Sequence, residues 1–157
     1  MSKGHEVQWR LRAFDALTLA ELYAILGARA AVFVVEQRCN YLDMDDVDPA
    51  CMHLMAWNRD KLAAYLRIVP PGARYAEPSI GRVLTSAEHR GTGLGRELMR
   101  RGIEHTEQLY PGQAIRIGAQ AHLQRFYSEF GFVTDSDIYF EDHIEHVKML
   151  RIFENSR

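Results

Sequence analysis

The sequence predicts an α+β domain with a mostly antiparallel sheet and helices packed on it. Three observations lead there. Two apolar runs of strand length, residues 53–57 and 62–69, are joined only by Asn58-Arg59-Asp60-Lys61, the mark of a β-hairpin. A segment over 93–110 puts Leu94, Leu98, Met99, Gly102, Ile103, Thr106 and Leu109 on one half of a helical wheel. Arg96, Glu97, Arg100, Glu104 and Glu107 occupy the other half. Two further runs of strand length, 80–85 and 114–119, flank that helix.

The remaining elements follow in order. Thr18-x-x-Glu21 is a capping-box pattern, and Leu19, Leu22, Tyr23, Leu26, Ala30 and Phe33 then recur at helical spacing. A helix over 19–31 is predicted although Gly27 costs it about 1 kcal/mol. Val32-Phe33-Val34-Val35 comes next, then an acidic loop with Asp43, Asp45, Asp46 and Asp48, read as solvated or as a lure for a cationic amine. Pro70-Pro71-Gly72 ends the second hairpin strand, and Pro111-Gly112 stops the long helix. Leu123, Phe126, Tyr127 and Phe130 mark a two-turn helix closed by Gly131, and residues 146–152 supply a last strand.

Length and composition narrow the function. A chain of 157 residues, 47% hydrophobic and 25% charged, is expected to form one domain over 1–157. Nineteen Lys plus Arg against twenty-one Asp plus Glu give a net charge of −2, which argues against nucleic-acid and membrane-surface partners. No run reaches the roughly 18 apolar residues of a spanning helix, and Met1–Glu6 has no apolar core of a secretory signal. Cys39 and Cys51 lack metal-type spacing, and His143-x-x-His146 lacks a third ligand, so no metal is expected. The expected setting is cytoplasmic, with reduced thiols.

The most informative segment is the strand at 80–85 followed by Arg90-Gly91-Thr92-Gly93-Leu94-Gly95 at the head of the long helix. Glycines let successive N–H groups converge on an anion, the helix N-terminus adds partial positive charge, and Arg90 adds a full one. The physics predicts a phosphate ligand. A Walker A loop requires Gly-Lys-Ser/Thr, yet Gly95 is followed by Arg96-Glu97. The dinucleotide pattern starting at Gly91 meets Arg96 where its third glycine belongs.

Arg90-x-x-Gly93-x-Gly95 between strand and helix resembles motif A of the GNAT superfamily, the GCN5-related N-acetyltransferases. The segment from Leu123 through Phe126-Tyr127 to Gly131-Phe132 resembles its motif B. Val32-Phe33-Val34-Val35-Glu36-Gln37, with Gly118-Ala119-Gln120-Ala121-His122-Leu123, is similar to the ElaA-type branch, small bacterial proteins of about this length. The likeness spans about residues 7–152. It implies the GNAT fold, a central mixed sheet, mostly antiparallel, with helices on both faces. It implies acetyl-CoA as cosubstrate, its pyrophosphate held by Arg90, Gly91, Thr92, Gly93, Leu94 and Gly95, and its pantetheine arm paired with Val83 and Leu84.

The reaction so implied is acetyl transfer to a primary amine of a small molecule or protein. A phenol with pKa near 10 stays protonated at neutral pH, so Tyr127 matches the general acid for the leaving thiolate. Tyr127 also fits the apolar face of its short helix. Glu36, an aspartate of the 43–48 loop, His122, or a water chain are the candidate bases, and the sequence leaves the choice open. A non-catalytic acyl-CoA-binding or sensing module is the alternative, and an unrelated nucleotide binder a third reading. The tail strand is a candidate edge for a homodimer.

Overall fold

The computed structural model describes residues 6–153; most of the segment inspected for a secretory signal lies outside them. Eight strands form one sheet in the order β1-β2-β3-β4-β5-β8-β6, with β7 paired to β8. The strands are β1 (Gln8–Ala13), β2 (Met52–Asn58), β3 (Lys61–Val69), β4 (Ser79–Thr85), β5 (Ile115–Gln120), β6 (Val133–Thr134), β7 (Tyr139–Glu141) and β8 (Ile144–Arg151). Every pairing is antiparallel except β4 with β5. The helices are α1 (Leu19–Arg29), α2 (Leu94–Leu109) and α3 (Gln124–Ser128).

Alternation along β2 and β3 divides the interior. Leu54, Ala56, Ala64 and Leu66 face the core shared with α2, whereas Met55, Trp57 and Tyr65 face the one shared with α1. Helices therefore cover both faces of the sheet, the GNAT fold expected from the resemblance. The hairpin forms with Arg59 at φ 58°, as a two-residue turn requires. On α2 the expected apolar half is buried save for Leu109, 39% exposed in the last turn. No helix of the described residues is long and apolar enough to cross a membrane.

Helix α1 departs from its wheel. Its capping box forms: Glu21 N–H donates to Thr18 Oγ1 and Thr18 N–H to Glu21 Oε1, both at 3.0 Å. Yet Leu19 and Tyr23 are 87% and 83% exposed, and the buried stripe is Glu21, Ile25 and Arg29. Partners from distant segments make this affordable, since Arg10 donates to Glu21 at 2.9 Å and acidic-loop residues receive Arg29. Val32–Val35 lie within a π-helix, Ala30–Glu36, that continues α1. Strands β1, β6 and β7 had no counterpart in the expectation. The tail strand is not an edge: β8 pairs with β5 on one side and with β6 and β7 on the other, so it offers no free ladder for a homodimer.

Gly102 marks the tightest approach of α2 to the sheet, because a Cβ there would lie 2.7 Å from Leu66 Cδ2. Gly102→Ala should therefore lower stability by about 1–3 kcal/mol through overpacking, despite alanine's better helix propensity, as read from denaturant unfolding.

Candidate active site

Strands β4 and β5 touch at only one register pair, Ser79 with Arg116, reinforced by Arg116 N–H donating to Pro78 O at 3.0 Å. Beyond it they part, opening a cleft of about 740 Å³. Val83, Leu84 and Thr85 line one side, Gly118 and Gln120 the other. Between Tyr65↔Leu84 and Arg67↔Gly81, β4 carries one residue more than β3, a bulge at Arg82 and Val83. Arg82 holds φ 51°, a costly conformation for a side-chain-bearing residue. Its guanidinium fixes it there, donating to Asp43 Oδ1 at 2.8 Å and Asp43 O at 2.9 Å. With β5 already diverged, the bulge leaves main-chain groups near Val83 without a ladder partner.

The glycine turn stands at the head of α2. Gly91 and Gly93 have φ of 77° and 87°, Gly93 capping the helix, and no atom lies within 4 Å of where either would carry a Cβ. The first N–H groups of a helix lack intrahelical partners, so this turn has the form of an anion cradle. Thr92 braces it by donating from Oγ1 to His89 O at 2.8 Å, Leu94 is buried, and Gly95 lies against Thr85. Arg90, the expected pyrophosphate holder, is engaged within the protein. It clasps Glu36 through Nη1–Oε2 at 2.7 Å and Nη2–Oε1 at 2.9 Å, and donates from Nε to Thr85 O. The adjacent Gln37 accepts from Gln120 Nε2 at 3.3 Å, so Glu36 and Gln37 strap the two walls together.

Tyr127 is 8% exposed on α3, packed edge-on against Phe126 and Phe132. Its residue lines the cleft, its hydroxyl has no hydrogen-bond partner among the described residues, and burial pushes its pKa up to about 12. It is thus a protonated donor with nothing in the protein to donate to.

The candidate bases fare differently. Glu36 is a poor one, because the Arg90 hydrogen bonds hold its carboxyl below the usual range. His122, in a 3-10 turn before α3, lines the cleft but is exposed, with no hydrogen bond to orient its ring. Sequence reasoning missed His146, which it weighed only as a metal ligand. His146 lines the cleft from β8, and its Nδ1 lies 2.8 Å from Ile144 O. A carbonyl oxygen only accepts, so the neutral ring carries its proton on Nδ1 and leaves the Nε2 lone pair bare.

The acidic loop is solvated only at Asp46, which is exposed; its other aspartates are held by arginines rather than left to lure amines. Asp43 and Asp48 are buried, and arginines from three elements meet the loop. Arg29 donates to Asp43 Oδ2 and Asp48 Oδ1, both at 2.7 Å. Arg67 donates to Asp48 Oδ1 at 2.8 Å and Asp45 Oδ2 at 2.6 Å, and Arg82 holds Asp43. His53 donates from Nε2 to Asp48 O at 3.1 Å and accepts from Tyr65 at Nδ1. Cys39 and Cys51 are buried and free.

A sequence family described as an acetyltransferase (GNAT) domain matches residues 26–153. The crystal structure of an acyl-CoA N-acyltransferase from Pseudomonas aeruginosa is similar with a TM-score of 0.89 and 43% identity, over 92% of this chain and 99% of that one. Escherichia coli ElaA gives a TM-score of 0.88 and 39% identity, over the same shares. A UPF0039 protein of Synechocystis is 42% identical over 146 residues, 92% of this chain and 95% of its own.

Burial opposes the charged forms of Asp45 and Asp48, and hydrogen bonds from Arg67 and Arg29 outweigh it, leaving both pKa values lowered. Their contribution to stability is complete above the unfolded carboxylate range, about pH 4, and is lost as pH falls through the folded values. Asp48→Asn, which leaves two buried guanidiniums short of a carboxylate, should cost roughly 3–5 kcal/mol in denaturant unfolding at pH 7. Its stability should also fall less steeply below pH 4.

Proposed function

The chain belongs to the GNAT acetyltransferase family, and from that premise we propose that it moves an acetyl group from acetyl-CoA directly to a primary amine. One observation carries this reading: the parted strands β4 and β5 run from a glycine cradle at the head of α2 to a cleft holding the unpartnered Tyr127 hydroxyl and the bare Nε2 of His146. The groups fit the ligand. Gly91 and Gly93 leave the cradle open to a pyrophosphate, and the main chain at Val83, bulged out of register with β3 and parted from β5, suits a pantetheine amide, with Leu84 beside it.

Acetyl-CoA supplies the activated acyl group, a thioester. His146 Nε2 takes a proton from the acceptor ammonium, which freely neutralises itself in only about one molecule in a thousand at pH 7. An N–H of the β4 bulge faces the acyl oxygen as charge develops there, a donor worth about 3–4 kcal/mol in acyl transfer. Tyr127 gives its proton to the departing sulfur as the C–S bond breaks, and recovers one from the newly acylated nitrogen. His146 releases its own proton to solvent. The sum is amide, free thiol and one proton. Around His146 stand Tyr139 at 5.8 Å between ring centroids, Gln120 of β5, Lys148 of its own strand, and Glu141 and Asp142 on the cleft rim.

Acetyl-CoA at a hundred times its Kd should add about 2.7 kcal/mol, a rise in Tm of roughly 5–10 °C, and ATP or NAD should add none. No rise with CoA compounds would end the reading. Tyr127→Phe should lower kcat at least about tenfold with acetyl-CoA Kd nearly unchanged, measured by thiol release and calorimetry. His146→Gln should lower kcat by roughly a hundredfold near pH 7, the deficit shrinking as pH approaches the amine's own pKa.

A further inference from the structure

Among the described residues, one buried side-chain polar atom lacks a hydrogen-bond partner, Arg67 Nε. The far end of that guanidinium donates three hydrogen bonds to Asp45 and Asp48. The near edge faces Gly81, its partner across β3 and β4, where a Cβ would stand 3.9 Å from Nε. Both residues line the cleft. With glycine at 81, no side chain of that residue stands against the buried Nε edge.

The same end of the cleft is lined by further donors without acceptors. Arg74 is about one-third exposed and reaches only 3.8 Å from Asp45, too far for a hydrogen bond. The hydroxyls of Ser79 and Tyr75 have no hydrogen-bond partner among the described residues, and Tyr75 lies 3.0 Å from where a Gly118 Cβ would be. The charges do not cancel on this wall. The guanidiniums of Arg29, Arg67, Arg74 and Arg82 share only the carboxylates of Asp43, Asp45 and Asp48. Within these ion pairs guanidiniums outnumber carboxylates four to three, and Arg74 is the most exposed of the four. The β7–β8 turn brings Glu141 and Asp142 to the lining of the same cleft.

We propose that the acceptor is a free amino acid, its carboxylate received by Arg74, the Arg67 Nε edge, Ser79 and Tyr75, and its amine presented to His146. The assignment rests on the acetyltransferase reading and names the acceptor's class. A donor-rich wall with surplus positive charge rewards an anion, whereas a simple diamine would set an ammonium against Arg74.

The test uses the full chain, acetyl-CoA and a panel of L-amino acids, each beside its methyl ester and its decarboxylated amine, with acetylated product read by mass spectrometry. At least one free acid should show kcat/KM tenfold or more above its ester and its decarboxylated amine. In Arg74→Gln that acid-to-ester ratio should collapse at least tenfold, through KM, and Arg74→Lys should restore part of it. Esters or decarboxylated amines used as well as the acids would overturn the proposal, as would a ratio unmoved in Arg74→Gln. Absence of product from every acid, with the acetyl-CoA rise in Tm intact, would also overturn it while leaving the transferase reading in place. Loss of that rise in Tm in the unmodified chain would instead remove both.

Discussion

A guanidinium with no solvent contact is the constraint around which this molecule is arranged. Arg29, fully buried at the end of α1, requires counter-charges, and the 43–48 loop folds inward to supply them. Burial works against its charge, but the Asp48 hydrogen bond and the nearby carboxylates outweigh that and raise its pKa. Arg67 of β3 satisfies the same condition through the same loop. The loop is therefore clamped between helix and sheet by groups that are tolerable inside only while all of them are present.

The chemistry inherits its geometry from that clamp. Asp43 joins Arg29 to Arg82, so the helix end and the strand bulge are fastened to one carboxylate. Arg82 sustains a left-handed backbone conformation there, and the bulge frees the main chain of β4 where β5 has separated from it. The parting of the strands makes room, and the ion network holds the edge of that room in place. Helices α2 and α3 complete it from the other face, one starting from the glycine turn, the other carrying Tyr127.

What could be read from the sequence followed local rules. The hairpin at Arg59, the amphipathic α2 and the glycine turn all announce themselves within a few residues, and the structure places them within a residue or two of expectation. The interior face of α1 could not be read so, because Glu21 and Arg29 are tolerated inside only through Arg10, Asp43 and Asp48, which lie 11, 14 and 19 positions away. Asp43, Asp45 and Asp48 look solvated until their arginines are known. His146 was hidden likewise, since its tautomer depends on a carbonyl contact within folded β8. The alternation of Trp9, Leu11 and Ala13 with Gln8, Arg10 and Arg12 was an available sign of β1.

The strap formed by Glu36 and Gln37 sets how the cleft answers ionic strength. Arg90 and Glu36 are each about half exposed, so added electrolyte weakens their attraction. The same electrolyte weakens the pull of the α2 head and Arg90 on an incoming phosphate. A phosphate bound at this turn would have to take Arg90 from Glu36, so the two effects would oppose each other. Exchange of one anion for another on a single guanidinium releases about as much screening as it consumes. An anion held there by Arg90 would thereby lose less affinity to added salt than one held by an unstrapped arginine.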